Sequence, residues 1–209
     1  MGVLNDPKLE ALLADMHAAS KAQEEGIERY FWHERTGPWT GMEPRDHAFM
    51  SDKMEALDQD KAELCYLLCR AIGARRIVEC GTSFGVSTLY LAAAARDNGG
   101  AGEVFAAEQE RGKIERARAN FAAAGLVDFI EFHEGDIVGA LQGFAGPIDF
   151  VLFDIWGHMM PPIVEILGPR LRPGAVICGD NNLSEHFDAV AYRQIKLSLE
   201  KGFWVAVKD

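Results

Sequence analysis

The sequence predicts an α/β protein: a doubly wound, seven-stranded, mostly parallel sheet with a closing antiparallel hairpin and an N-terminal helical extension. Three observations predict it. From residue 75 onward, short apolar runs alternate with helical stretches, and five strands separated by helices call for a parallel sheet covered on both faces. The tail breaks that alternation, with two β-rich runs joined at Glu200-Lys201-Gly202, the chemistry of a tight turn. Ahead of residue 75 the chain holds only helical patterns and an aromatic loop, with no linker that would mark a second folded core.

The elements follow in order. Residues 7–30 form a helix: Asn5 or Asp6 caps it, Pro7 suits its first turn, and Leu9, Leu12, Leu13 and Met16 recur at helical spacing. Residues 31–50, rich in aromatics, Gly, Pro and His, carry loop chemistry with large apolar side chains such as Trp32 and Trp39. Residues 58–72 form a second helix with Leu64, Cys65, Leu67 and Leu68 on its buried side and Gly73 as its stop. Strands are expected at 76–80, 103–108, 129–133, 149–154 and 175–180, with helices at 86–96, 111–124, 137–141 and 162–171 between them. The closing runs are 194–199 and 203–208, although a helix over 190–199 followed by one terminal strand fits the same residues. This divides the chain into residues 1–57, a helix and aromatic loop serving as lid or dimer contact, and residues 58–209, the ligand-binding domain.

Composition narrows the function classes. The 209 residues carry 21 Lys+Arg against 32 Asp+Glu, a formal charge of −11, so the surface as a whole repels phosphate backbones and anionic membranes. Arg70, Arg75 and Arg76 are too few to reverse this, and no nucleic acid partner is expected. No apolar run approaches the ~20 residues of a membrane span, and the N-terminus does not read as a signal peptide. The expected setting is cytoplasmic, with Cys65, Cys69, Cys80 and Cys178 reduced and acting as small apolar residues.

The first strand runs into Glu79-Cys80-Gly81-Thr82-Ser83-Phe84-Gly85 and then a helix. Glycine at 81 and 85 lets the backbone turn sharply and approach a ligand, while the helix start presents unpaired N–H groups. The spacing G-x-x-x-G with an acid two residues ahead is not the dinucleotide fingerprint G-x-G-x-x-G. Glu108 ends the second strand, where an acid accepts both hydroxyls of a ribose. Asp154 ends the fourth strand, and Asp180-Asn181 end the fifth. In a parallel sheet, neighbouring strand ends lie ~5 Å apart, so three hard oxygen donors can converge on one point. Mg²⁺ takes six oxygens at ~2.1 Å, and three protein donors leave room for a chelating substrate.

Together with Gly135-Asp136 after the third strand, these features resemble class I S-adenosylmethionine-dependent methyltransferases, whose fold is Rossmann-like. The resemblance implies that Glu79, Gly81 and Ser87 hold the methionine half of S-adenosylmethionine, Glu108 the ribose, and that Asp136 lies by the adenine. Asp154-Ile155-Trp156, Gly179-Asp180-Asn181-Asn182 and Leu57-Asp58-Gln59-Asp60-Lys61 look like segments of the catechol and caffeoyl-coenzyme A type O-methyltransferases. That likeness implies Mg²⁺, or another divalent cation, on Asp154, Asp180 and Asn181. It also implies methyl transfer to one oxygen of a small hydroxylated aromatic, a vicinal diol, and a homodimer.

Two departures stand out. Where that group places a lysine base, three residues after the metal aspartate, this chain has Gly157, followed by His158. Histidine has the intrinsic pKa, ~6.5, to take the proton, or the metal suffices and His158 lines the pocket. The stretch between Asn182 and Tyr192 is also short, so cover for the substrate comes from elsewhere, with Phe31, Trp32, Trp39, Phe49 and Met50 as candidates alongside His33 and His47. Two other readings stay open: a metal-independent small-molecule methyltransferase, and a non-catalytic cofactor-binding subunit.

Overall fold

The computed structural model describes residues 2–37, 41–180, 187, 191–199 and 201–209, and of His158 the backbone alone. Helix α1 (Pro7–Arg29) starts at Asp6, whose carboxylate accepts from the Leu9 N–H at 3.2 Å and is held by Arg96 at 2.8 Å. Leu9, Leu13 and Met16 enter the same apolar core as Leu89 and Ala92, so the N-terminal helix is packed onto the domain.

The 31–50 stretch is more ordered than its composition suggests. The chain leaves α1 through a π-turn at Tyr30–Glu34 and forms a second helix, α2 (Pro44–Met50). A capping box between Glu43 and Asp46, with Pro44 in the first turn, explains this helix. Buried Asp46 knits the segment together, accepting from the Tyr30 hydroxyl at 2.8 Å, Arg35 Nε at 3.1 Å and the Glu43 N–H at 2.9 Å. The Tyr30 and Phe49 rings stack at 3.9 Å.

Helix α3 (Gln59–Ala71) buries Lys61, Cys65 and Cys69 at i, i+4 and i+8, against α4 (Val86–Asp97). Strands β1 (Arg76–Cys80), β2 (Glu103–Glu108), β3 (Ile130–Glu134), β4 (Ile148–Phe153) and β5 (Leu171–Asp180) are parallel. Helices α5 (Arg111–Ala124), α6 (Ile137–Leu141) and α7 (Met160–Leu167) fill the connections. Strands β6 (Tyr192–Leu197) and β7 (Phe203–Lys208) form the antiparallel hairpin, which removes the helical alternative for that segment. Among the described residues the sheet has seven strands in the order β3-β2-β1-β4-β5-β7-β6.

Alternation along the central strands feeds two cores, one on each face. Ile77, Phe150, Leu152 and Cys178 point to the core shared with α1, α3 and α4. Val78, Val151, Phe153 and Ile177 point to the other, with α6 and α7. A sheet buried on both faces needs near-continuous apolar strands, which is what these runs are. The strand order reverses beside β1, which puts the ligand crevice outside the carboxyl ends of β1 and β4.

Candidate active site

Every carboxyl end in this parallel sheet carries a residue singled out by the sequence, and most of them face one cavity of about 510 Å³. Gly81, Glu108, Gly135, Asp154 and Asp180 line it.

The turn after β1 shows why glycine stands at 81. Its φ is +104°, and a Cβ there would lie 2.0 Å from the carbonyl oxygen of Asp154. The ends of β1 and β4 are thus in backbone contact, reinforced by the Asp154 N–H donating to the Cys80 carbonyl at 2.8 Å. Gly85, at φ +86°, starts α4 with the Phe121 ring where a Cβ would be.

Glu79 is wholly buried on β1. Its Oε2 accepts from Thr88 and, at 3.2 Å, from Thr82, while its Oε1 is buried with no hydrogen-bond partner. Burial pushes the Glu79 carboxyl up to about 7, against the hydrogen bonds from Thr88 and Thr82 and the nearby Ser87 hydroxyl, with the Glu108 charge adding to the rise. A buried acceptor without a donor is costly, and a positively charged ligand donor would satisfy it. Ser87, in the first turn of α4, is buried beside it.

Glu108 is fixed by backbone donors: Ser83 N–H to Oε2, and the Gln109 and Glu110 N–H groups to Oε1, each at 2.9 Å. The carboxylate is therefore pre-oriented at the cavity wall. Asp136 is placed differently. It caps α6 by accepting from the Gly139 N–H at 2.8 Å, and its neighbours Gly135 and Ile137, not Asp136 itself, line the cavity.

Asp154, just after β4, and Asp180, the last residue of β5, also line the cavity. Burial pushes the Asp154 carboxyl well up, and the charges of Asp180, Glu55 and Glu79 push it further, with Lys61 opposing them. Asp180 is held by the Lys61 ammonium, 2.6 Å from its Oδ1. Asn181 lies outside the described residues, as do Trp39 and the side chain of His158, whose backbone sits in the turn Gly157–Met159. Among the described residues no group of three His, Cys, Asp or Glu side chains forms a complete metal-ligand set.

Several contributors were not singled out by sequence as site residues. Glu24 and Glu28 of α1 line the cavity beside Trp32, His47 and Met50, three of the residues expected to cover the substrate. Glu55 also lines it and pairs with the buried Lys113 at 3.2 Å, while Trp156 and Met159 supply apolar surface. Lys61 carried a readable signal, being a lysine in phase with buried Cys65 and Cys69.

A family model described as a methyltransferase domain matches residues 78–182, from β1 to just past β5, half of the chain. The chain belongs to the family that carries this methyltransferase domain. Over 148 residues it is 34% identical to a catechol O-methyltransferase of Mycobacterium tuberculosis, covering 66% of each chain. It is 28% identical over 133 residues to a catechol O-methyltransferase of Niastella koreensis, covering 60% of this chain and 58% of that one. The matches thus span 66% and 58% of these relatives' lengths, less than two thirds of each. The O-methyltransferase TomG of Streptomyces achromogenes, solved with SAM, superposes with a TM-score of 0.64 at 25% identity, covering 89% of this chain and 98% of that chain. No helix among the described residues is long and apolar enough to cross a membrane.

Proposed function

We propose that this methyltransferase transfers the methyl group of S-adenosylmethionine to one hydroxyl of a small catechol-like acceptor, with a divalent cation at Asp154, Asp180 and Asn181. The observation that carries this reading is the meeting, in one cavity at a topological switch point, of the Gly81 turn beside buried Glu79, the pre-oriented Glu108 and the two acids Asp154 and Asp180. Two curated relatives named catechol O-methyltransferase support the choice of acceptor.

In this reading Glu79 accepts the cofactor's ammonium on its unpartnered Oε1, Ser87 and Gly81 border the methionine half, and Glu108 accepts the ribose hydroxyls. Asp136 acts through the turn it caps, which presents Gly135 and Ile137 beside the adenine. Trp32, Met50, Trp156 and Met159 wall the acceptor ring and exclude water. The donor set at Asp154 and Asp180 suits Mg²⁺, since two hard carboxylates crowded at neighbouring strand ends call for a positive charge. When bound, the cation would lower the pKa of the acceptor hydroxyl, ~10 for a free phenol. His158, in the turn after β4, is the candidate to take the proton, because Gly157 holds no base.

One observation favours a second reading, a metal-independent methyltransferase: Lys61 already places a positive charge on Asp180. Calorimetric titration separates the two. S-adenosylmethionine, then catechol, is titrated with Mg²⁺ and again with chelator. The cation-dependent reading expects cofactor binding in both and catechol binding only with Mg²⁺. Catechol binding that ignores Mg²⁺ selects the second reading, and no cofactor binding at all overturns both.

A further inference from the structure

The least expected group in the site is the buried ammonium of Lys61. Its side chain has no solvent exposure, and its Nζ lies 2.6 Å from Asp180 Oδ1 and 2.8 Å from Asp58 Oδ2. Two carboxylates hold it at ion-pair distance, which commits the ammonium to them. It is therefore not a base for the acceptor hydroxyl.

Its placement suits another task. Asp58 stands at the N-cap position of α3, yet its side chain makes no capping hydrogen bond, and its carboxylate is turned to Lys61 instead. The start of α3 is thus built as a clamp reaching across 119 residues of sequence to the last residue of β5. A buried charge left without a partner is strongly destabilising. Lys61 would be such a group without Asp58 and Asp180, and its charge in turn opposes the crowding of Asp180, Glu55 and Glu79 around Asp154.

We infer that Lys61 is a built-in counter-cation: a positioning residue that neutralises and orients Asp180 whenever no divalent cation does. The inference rests on the reading that Asp180 helps to hold a cation. It explains how a site with crowded acids keeps its shape in the free protein. It also means that part of the attraction for a metal is already answered from within the chain.

The test is thermal unfolding of Lys61→Met, Lys61→Arg and the wild type, each in chelator and in millimolar Mg²⁺, with bound Mn²⁺ counted separately by its spin resonance signal. In chelator, Lys61→Met is expected to melt roughly 10 °C below the wild type, the scale for a broken buried ion pair in a chain of this size. Mg²⁺ should restore about half or more of that loss, while the wild type and Lys61→Arg shift by only a degree or two. Lys61→Met should also bind Mn²⁺ more tightly than the wild type, by ~10-fold, because a positive charge at contact range has been removed. The double variant Lys61→Met, Asp180→Asn keeps only the partly exposed Asp58 carboxylate of the clamp. It should regain stability in chelator and lose the response to Mg²⁺, and it keeps the test decisive where the single variant folds poorly.

An equal loss of stability with and without Mg²⁺ would make Lys61 a structural ion pair only and overturn the inference. So would unchanged or weaker Mn²⁺ binding in Lys61→Met. If wild-type turnover of catechol proves indifferent to chelator, it is the cation-dependent reading of the site that fails. The melting response of Lys61→Met then reports on the clamp alone.

Discussion

Glu79 shows how one buried side chain ties stability to ligand binding. Its carboxyl rises from an ordinary 4.5 to about 7, chiefly through burial. A carboxyl whose folded pKa is raised contributes stability that is full below pH 4.5 and is lost as the pH climbs through about 7. An ammonium at the unpartnered Oε1 would favour the ionised form. Cofactor binding near pH 6 should therefore release close to one proton, and affinity should rise with pH until about 7 and then level. Calorimetry in buffers of different ionisation enthalpy measures this, and Glu79→Gln should abolish the proton release and weaken binding. A second comparison separates the roles of Glu108 and Asp154. Glu108→Ala should weaken S-adenosylmethionine binding ~10-fold or more by removing charge-assisted acceptors. Asp154→Ala should leave that binding nearly intact while abolishing turnover, so equal loss of cofactor affinity in both variants would sink the division of labour.

Between residue and fold, the turn from β1 into α4 carries the most constraint. Gly81 occupies a left-handed φ of +104° and has the Asp154 carbonyl where a Cβ would stand. Gly81→Ala therefore combines backbone strain with a backbone clash and pushes β1 and β4 apart at the crevice. The expected cost is about 3 kcal/mol, together with loss of cofactor binding. Denaturant titration of the variant checks it, and a cost below ~1 kcal/mol would show that the turn relaxes. The segment from Tyr30 to Met50 is the other decisive element. Burial pushes the Asp46 carboxyl up, but hydrogen bonds from Glu43, Tyr30 and Arg35 and the Arg35 charge hold it at about 2. Asp46 thereby stays ionised and ties the π-turn to α2, and so sets Trp32 and His47 on the cavity wall.

At the scale of the whole molecule, charge is the quantity that reaches the ligand. A formal charge of −11, with acids from α1 to β5 around the cavity, makes a field that attracts cations. S-adenosylmethionine carries one net positive charge, whereas the product, S-adenosylhomocysteine, has lost the sulfonium. Raising salt from about 0.05 to 0.5 M should weaken the former by roughly 2- to 5-fold through screening and the latter much less. Titrations of both ligands at the two salt levels test it, and equal salt dependence would show that the field does not act on the sulfonium.

The amino-acid sequence by itself determined the sheet and the positions that matter along it. Apolar runs such as Arg76–Cys80 and Ile148–Phe153 are legible because a strand buried on both faces has no other composition available. The residues closing those runs, Glu79, Glu108, Asp154 and Asp180, are legible because polar groups at strand ends break the pattern. Helix α2 was not legible, because Pro44 and the aromatics read as loop until the Glu43–Asp46 capping box is seen in space. Only the tertiary structure decided that Glu24 and Glu28 of α1 line the cavity, that Asp136 spends its carboxylate on a helix cap, and that Lys61 reaches Asp180. Those contacts join residues as far as 119 positions apart. Local periodicity reports which face of an element is buried; what it is buried against is fixed only when the chain closes on itself.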